Sequence, residues 1–99
     1  MPDESVVTPP ADALPPLRAE IEQVDRQLVA LLAQRMQLAR RVGAVKRAAQ
    51  VAIVDPAREA AVVRRAGAFA RALGLPEDEV RQIFWQVIAL ARRIQADEA

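Results

Sequence analysis

The chain has no cysteine and no histidine among its 99 residues. Disulfides, structural zinc, histidine-ligated haem, thiolate nucleophiles and Ser-His catalysis are thereby excluded. The chemistry that remains belongs to carboxylates, amides, lysine and arginine, with no metal and no cofactor expected. Residues 1–16 contain no Lys or Arg and no long apolar run, but do carry Asp3, Glu4 and Asp12. This stretch therefore reads as neither a secretory signal nor a membrane span, and the expected location is cytoplasmic. Proline is absent from residues 17–55, a gap of 39 residues, whereas five of the seven prolines fall in the first sixteen. The composition, 53% apolar and 27% charged, is that of one soluble globular domain. A chain this short, with no staple, makes only a marginally stable monomer, so oligomerisation is expected. The net charge is +1, but residues 17–99 hold all 14 Lys and Arg against 10 acids. That surplus is too small for a nucleic-acid module and suits small anions; no nucleic acid or membrane partner is expected.

The proline-rich start reads as a disordered leader over residues 1–13, with one helical domain over 14–99. Leu17, Ile21, Val24, Leu28, Leu31, Leu38, Val42, Val45 and Ala49 follow 4-3 spacing and predict one long first helix. A helix of about 33 residues is ~50 Å long, far more than a chain of this size can cover by itself. Gln50 to Val54 breaks the heptad pattern, and Asp55-Pro56 supplies an N-cap and a proline at the first helical position. The second helix runs to about Leu73 and ends at Gly74. Leu75-Pro76 and the acids Glu77, Asp78 and Glu79 open a third helix with the stripe Val80, Ile83, Phe84, Val87, Ile88, Ala91 and Ile94. The fold class is all-α, three helices per chain with one very long first helix, in an intertwined homodimeric bundle.

Several residues are out of place in these stripes. Arg35 interrupts the apolar seam, where it must pair with an acid, snorkel outward or meet a ligand. Lys46 lies nearly on the same face three turns on, either as a solvated lysine near a helix end or as a second cation reaching the same ligand. Arg18 lies about 25 Å along the axis from Arg35, so the two can share a small ligand only across an antiparallel dimer; otherwise Arg18 is a first-turn surface residue. Asp55 is accounted for as a cap, while Arg58 and Glu59 in the same turn present a cation and a carboxylate to a ligand between helices. Gln95 stands where the third helix calls for an apolar side chain, although fraying near the C-terminus also accounts for it. The doublets Arg40-Arg41, Arg64-Arg65 and Arg92-Arg93 read as solvated faces.

Together, Leu17-Arg18, Val24-Asp25, Leu31-Leu32-Ala33, Arg35, Val42-Gly43, Lys46, Val54-Asp55-Pro56-Ala57-Arg58-Glu59, Phe84 and Gln95 resemble the all-helical AroQ class of chorismate mutases. The resemblance spans residues 14–97 without an insertion. It implies a homodimer whose long helices span both halves and whose two active sites are shared between chains. It assigns Arg18 of the partner chain and Arg35 to the substrate's two carboxylates, and Arg58 to carboxylate recognition or ring orientation. Lys46 and Gln95 would donate to the ether oxygen, and Glu59, with Asp55, would hold the ring hydroxyl. Ala91 departs from the serine found in many members, removing one carboxylate hydrogen bond or leaving it to water.

The implied reaction, chorismate to prephenate in phenylalanine and tyrosine biosynthesis, is an intramolecular pericyclic rearrangement. It needs no nucleophile, metal or proton transfer, so a chain without His or Cys loses nothing. Catalysis would consist of holding the near-attack conformer and placing donors on the oxygen that gains charge. Isochorismate-pyruvate lyase activity is an alternative on the same fold, disfavoured by Asp55 and Glu59. A mutase acting on 4-amino-4-deoxychorismate is another, since only the pocket around the ring hydroxyl would differ. A non-catalytic helical dimerisation or binding module, taking a partner protein or nucleic acid, is a third; it explains the heptads but not why Arg35 and Gln95 interrupt apolar stripes together. A regulatory partner enzyme of aromatic biosynthesis is also compatible with the family.

Overall fold

The computed structural model describes residues 10–97, which form three α-helices: α1 (Leu14–Ala49), α2 (Pro56–Ala72) and α3 (Glu77–Asp97). Most of the expected leader, residues 1–9, lies outside the described residues. Its last part, Ala11–Ala13, is a 3-10 turn, in which the Ala13 amide donates to the Pro10 carbonyl at 3.0 Å. Helix α1 begins at Leu14, three residues before the heptads, and takes Pro15 and Pro16 into its first turn. The amides there have no intrahelical acceptor, so two prolines cost no hydrogen bond.

The chain divides into two compact units between Gln34 and Arg35. Among its described residues, the first unit is the 3-10 turn and the N-terminal part of α1, and none of its side chains is buried. Leu17, Ile21, Val24, Leu28 and Leu31 are between 51% and 62% exposed, so the heptad seam is bare within the single chain.

The second unit holds the core. Val63, Ala66, Gly67 and Ala70 of α2 recur every three or four residues and are buried, as are Ile88 and Ala91 of α3. From α1 come Met36, Ala39 and Gly43. These three lie about 110° round the helix from the heptad seam. The heptads therefore do not mark the face that α1 packs on its own chain; Leu38, Val42 and Val45 stay exposed. On α3, the expected stripe member Ile83 is 59% exposed because it sits about 110° from the face centred on Ile88 and Ala91.

Three helix ends are closed by local chemistry. Asp55 Oδ1 accepts the Arg58 amide at 3.1 Å and Pro56 occupies the first position of α2, as the sequence predicts. At the far end Gly74 has φ 75°, with the Gly74 amide donating to Arg71 at 3.1 Å and the Leu75 amide to Ala70 at 2.8 Å, a Schellman closure. The end of α1 uses the same closure, with the Val51 amide donating to Lys46 at 2.9 Å, but the left-handed residue is Gln50 at φ 58°. A side chain in this region costs about 1 kcal/mol, and that of Gln50 is exposed. Gln50→Gly is expected to stabilise the chain by about that amount, read as a higher urea midpoint at fixed protein concentration.

Candidate active site

One cleft of about 380 Å³ opens among the C-terminal part of α1, the linker after it, α2 and α3, all within the second unit. Its walls are apolar where Leu38, Val42, Val62, Ile88 and Ala91 contribute, and charged elsewhere. Arg35, Lys46, Asp55, Arg58, Glu59 and Gln95 all line it. These are six of the seven residues singled out from the sequence. Arg18, the seventh, belongs to the first unit and does not line the cleft.

Helix geometry accounts for the two cations of α1. Arg35 and Lys46 lie between the exposed seam and the packed face, and both are half-buried. Lys46 Nζ donates to the Ile53 carbonyl at 2.8 Å, which ties the ammonium to the linker and leaves two N–H donors free to turn into the cleft. Arg35 has no hydrogen bond or ion pair to another described side chain. Burial, and then the nearby Arg58 guanidinium, lower its pKa from the ordinary arginine value. Neither the acid pairing nor the solvated lysine considered above describes these residues. They are cations facing an open cleft, and an anion would relieve both the desolvation and the mutual repulsion.

Gln95 is not frayed. Helix α3 continues through Asp97, and Arg47 Nη1 donates to the Gln95 carbonyl at 2.9 Å, satisfying one of the last carbonyls of the helix with a cation. Gly43 makes room for it, because a Cβ there would stand 3.2 Å from Gln95 Cγ and 3.3 Å from Gln95 Cβ. A small residue on α1 and an arginine one turn later thus set the height and position of the Gln95 side chain. Sequence reading missed Arg47, since its partner lies 48 positions away.

Arg92 is the main correction. It was expected on a solvated face, but it lines the cleft and grips Glu59 with both ends of its guanidinium: Nε donates to Oε2 at 2.8 Å and Nη2 to Oε1. The Glu59 side chain is 13% exposed and that of Arg92 47%. These bonds hold the Glu59 carboxyl below its ordinary pKa, with the charges of Arg92 and Lys46 adding to the effect while burial and Asp55 oppose it. Arg65, also expected on a solvated face, is exposed but borders the same cleft. One signal was available for Arg92: it lies one turn after Ile88, about 70° from the centre of the buried face of α3.

The cleft therefore presents five cationic side chains against two carboxylates, with an amide and an apolar wall. Such a site suits a compact dianion with an apolar ring. Ala91 contributes only a methyl group to the wall, with no hydroxyl donor. Among the described residues no cluster of His, Cys, Asp or Glu could hold a metal ion, and no helix is long and apolar enough to cross a membrane.

The family model for chorismate mutase type II matches residues 17–96. The chain is 36% identical over 89 residues to a 3-dehydroquinate dehydratase from Pyrobaculum aerophilum, covering 90% of this chain and 26% of that protein. It is 38% identical over 72 residues to the T-protein of Enterobacter agglomerans and 35% identical over 72 residues to that of Haemophilus influenzae, covering 73% of this chain and 19% of each. The chain spans about a quarter or less of the length of these curated relatives. Because the family match takes in all three helices and every residue that lines the cleft, this chain belongs to the type II chorismate mutase family.

Proposed function

We propose that the chain catalyses the rearrangement of chorismate to prephenate. The observation that carries this reading is the convergence of Arg35, Lys46, Asp55, Arg58, Glu59 and Gln95 on one cleft of about 380 Å³. Arg35 and Arg58 make no side-chain ion pair with other described residues and would receive carboxylates of the dianion. Lys46 and Gln95 would donate to the ether oxygen as its bond to carbon lengthens and charge accumulates there. Glu59, held by Arg92, and Asp55 would receive the ring hydroxyl. The protein's part is to select the folded-over conformer and to meet the developing charge with donors that need not reorganise.

The bare heptad seam of the first unit supports a homodimer, in which Arg18 of one chain would complete the cleft of the other. The presence of both Asp55 and Glu59 on the cleft wall favours the mutase over the lyase. The test is to incubate purified protein separately with chorismate and isochorismate and identify the products by mass spectrometry and a pyruvate assay. Prephenate without pyruvate is expected; pyruvate from isochorismate would move the assignment to the lyase.

Gln95 also carries a pH prediction. An amide donates at any pH, whereas a carboxyl donates only when protonated. Gln95→Glu should therefore lose activity at neutral pH, where the carboxylate faces the ether oxygen, and regain it as pH falls through the carboxyl pKa. A pH-rate profile of the variant that stays flat from acid to neutral would remove Gln95 from the ether contact.

A further inference from the structure

We infer that Arg92 is a specificity-determining residue, which makes the Glu59 end of the cleft accept a neutral hydroxyl and reject an ammonium at the same ring position. The inference rests on the proposed reading of the cleft as a chorismate site, and on a contact that the family resemblance does not supply. Arg92 donates from α3 to both carboxylate oxygens of Glu59 on α2. Each carboxylate oxygen has two acceptor positions, and Arg92 takes one on each. A further donor can still be received, so the pair need not open to admit a ligand.

What the pair changes is the charge that the ligand meets. A bare carboxylate would favour an ammonium over a hydroxyl, because the hydrogen bond would be charge-assisted on both sides. With Arg92 in place, an ammonium nitrogen bonded to Glu59 would stand about 4–5 Å from a guanidinium of the same sign. The other charged groups acting directly on Glu59 are Lys46 from α1 and Asp55 from the start of α2, one cation and one anion. Arg35, Arg58 and Arg65 line the same cleft, but Arg92 is the cation hydrogen-bonded to Glu59 and the one an ammonium there would meet at shortest range. The Glu59 side chain is 13% exposed and that of Arg92 47%, so solvent screens this repulsion in part, and the short separation is what keeps it felt. A hydroxyl meets no such penalty and needs only the free lone pair.

The test compares chorismate with 4-amino-4-deoxychorismate at pH 6.5, where an amine of ordinary basicity is protonated. Arg92→Gln keeps a donor for Glu59 but removes the charge, while Arg92→Lys keeps the charge. Wild type should favour chorismate in kcat/KM; Arg92→Gln should shrink that preference by about tenfold or more, and Arg92→Lys should hold it within about threefold. Arg92 is 47% exposed, and circular dichroism should show both variants folded. A purely structural role would lower both substrates alike in Arg92→Gln and leave the ratio unmoved, which would overturn the inference, as would a wild-type preference for the amine. Calorimetric binding of both compounds separates the two readings. Binding with the same preference but without turnover would remove the mutase and uphold the specificity, and binding of neither would overturn both.

Discussion

Replacing Lys46 with alanine is expected to lower chorismate turnover by about a hundredfold or more while leaving helix content unchanged. Losing one donor on an oxygen that gains charge in the transition state costs roughly 3–4 kcal/mol. Lys46 is well placed to act as that donor. Its ammonium is held at 2.8 Å by the Ile53 carbonyl on the linker between α1 and α2, so it is oriented before substrate arrives. The rigid tether is what separates a useful donor from a lysine that must first be ordered. The variant should remain folded because the bond it loses is a single part-buried contact whose carbonyl water can satisfy. The effect should fall on kcat more than on KM, since the ether oxygen carries little charge in the ground state. Turnover near the wild-type rate, followed by the loss of chorismate absorbance, would take Lys46 out of the mechanism.

The second large effect concerns Arg18. Arg18→Ala and Arg35→Ala should each lower activity by about a hundredfold, since each would remove a proposed charged partner of a substrate carboxylate. Co-refolded in equal amounts, the two variants should recover about a quarter of wild-type activity. In the proposed homodimer random pairing would make about half of the dimers mixed, and each mixed dimer would carry one intact site of two, with Arg35 from one chain and Arg18 from the other. The physical ground is the exposed row Leu17, Ile21, Val24, Leu28 and Leu31, 51–62% exposed, which a second copy would cover. A mixture as inactive as either variant alone would show that Arg18 serves its own chain or no site at all.

Much of this protein is legible from residue order. The cap at Asp55-Pro56 and the glycine at position 74 bound α2 as expected, because capping is decided within a few residues. Arg35 and Gln95 stood out because an apolar stripe has a period, and a charge or amide that breaks it has to be explained. The α1 terminus was less legible: Gln50 takes a conformation usually left to glycine, so no residue signalled the left-handed turn. The face made by Met36, Ala39 and Gly43 was also overlooked, since two of its three members, Ala39 and Gly43, are small and carry little hydrophobic signal even where they allow the closest packing.

By itself, then, the sequence determined three helices, both ends of α2 and a set of cations without imidazole or thiol, since these follow from local capping, periodicity and composition. Only the tertiary structure decided that Arg92 grips Glu59 across 33 positions and that Arg47 steadies Gln95 across 48. An arginine on a helix reads the same whether it meets water or a carboxylate. Its partner is chosen by how α2 and α3 pack and by where Gly43 lets α1 approach, and neither is written in the spacing of any one helix.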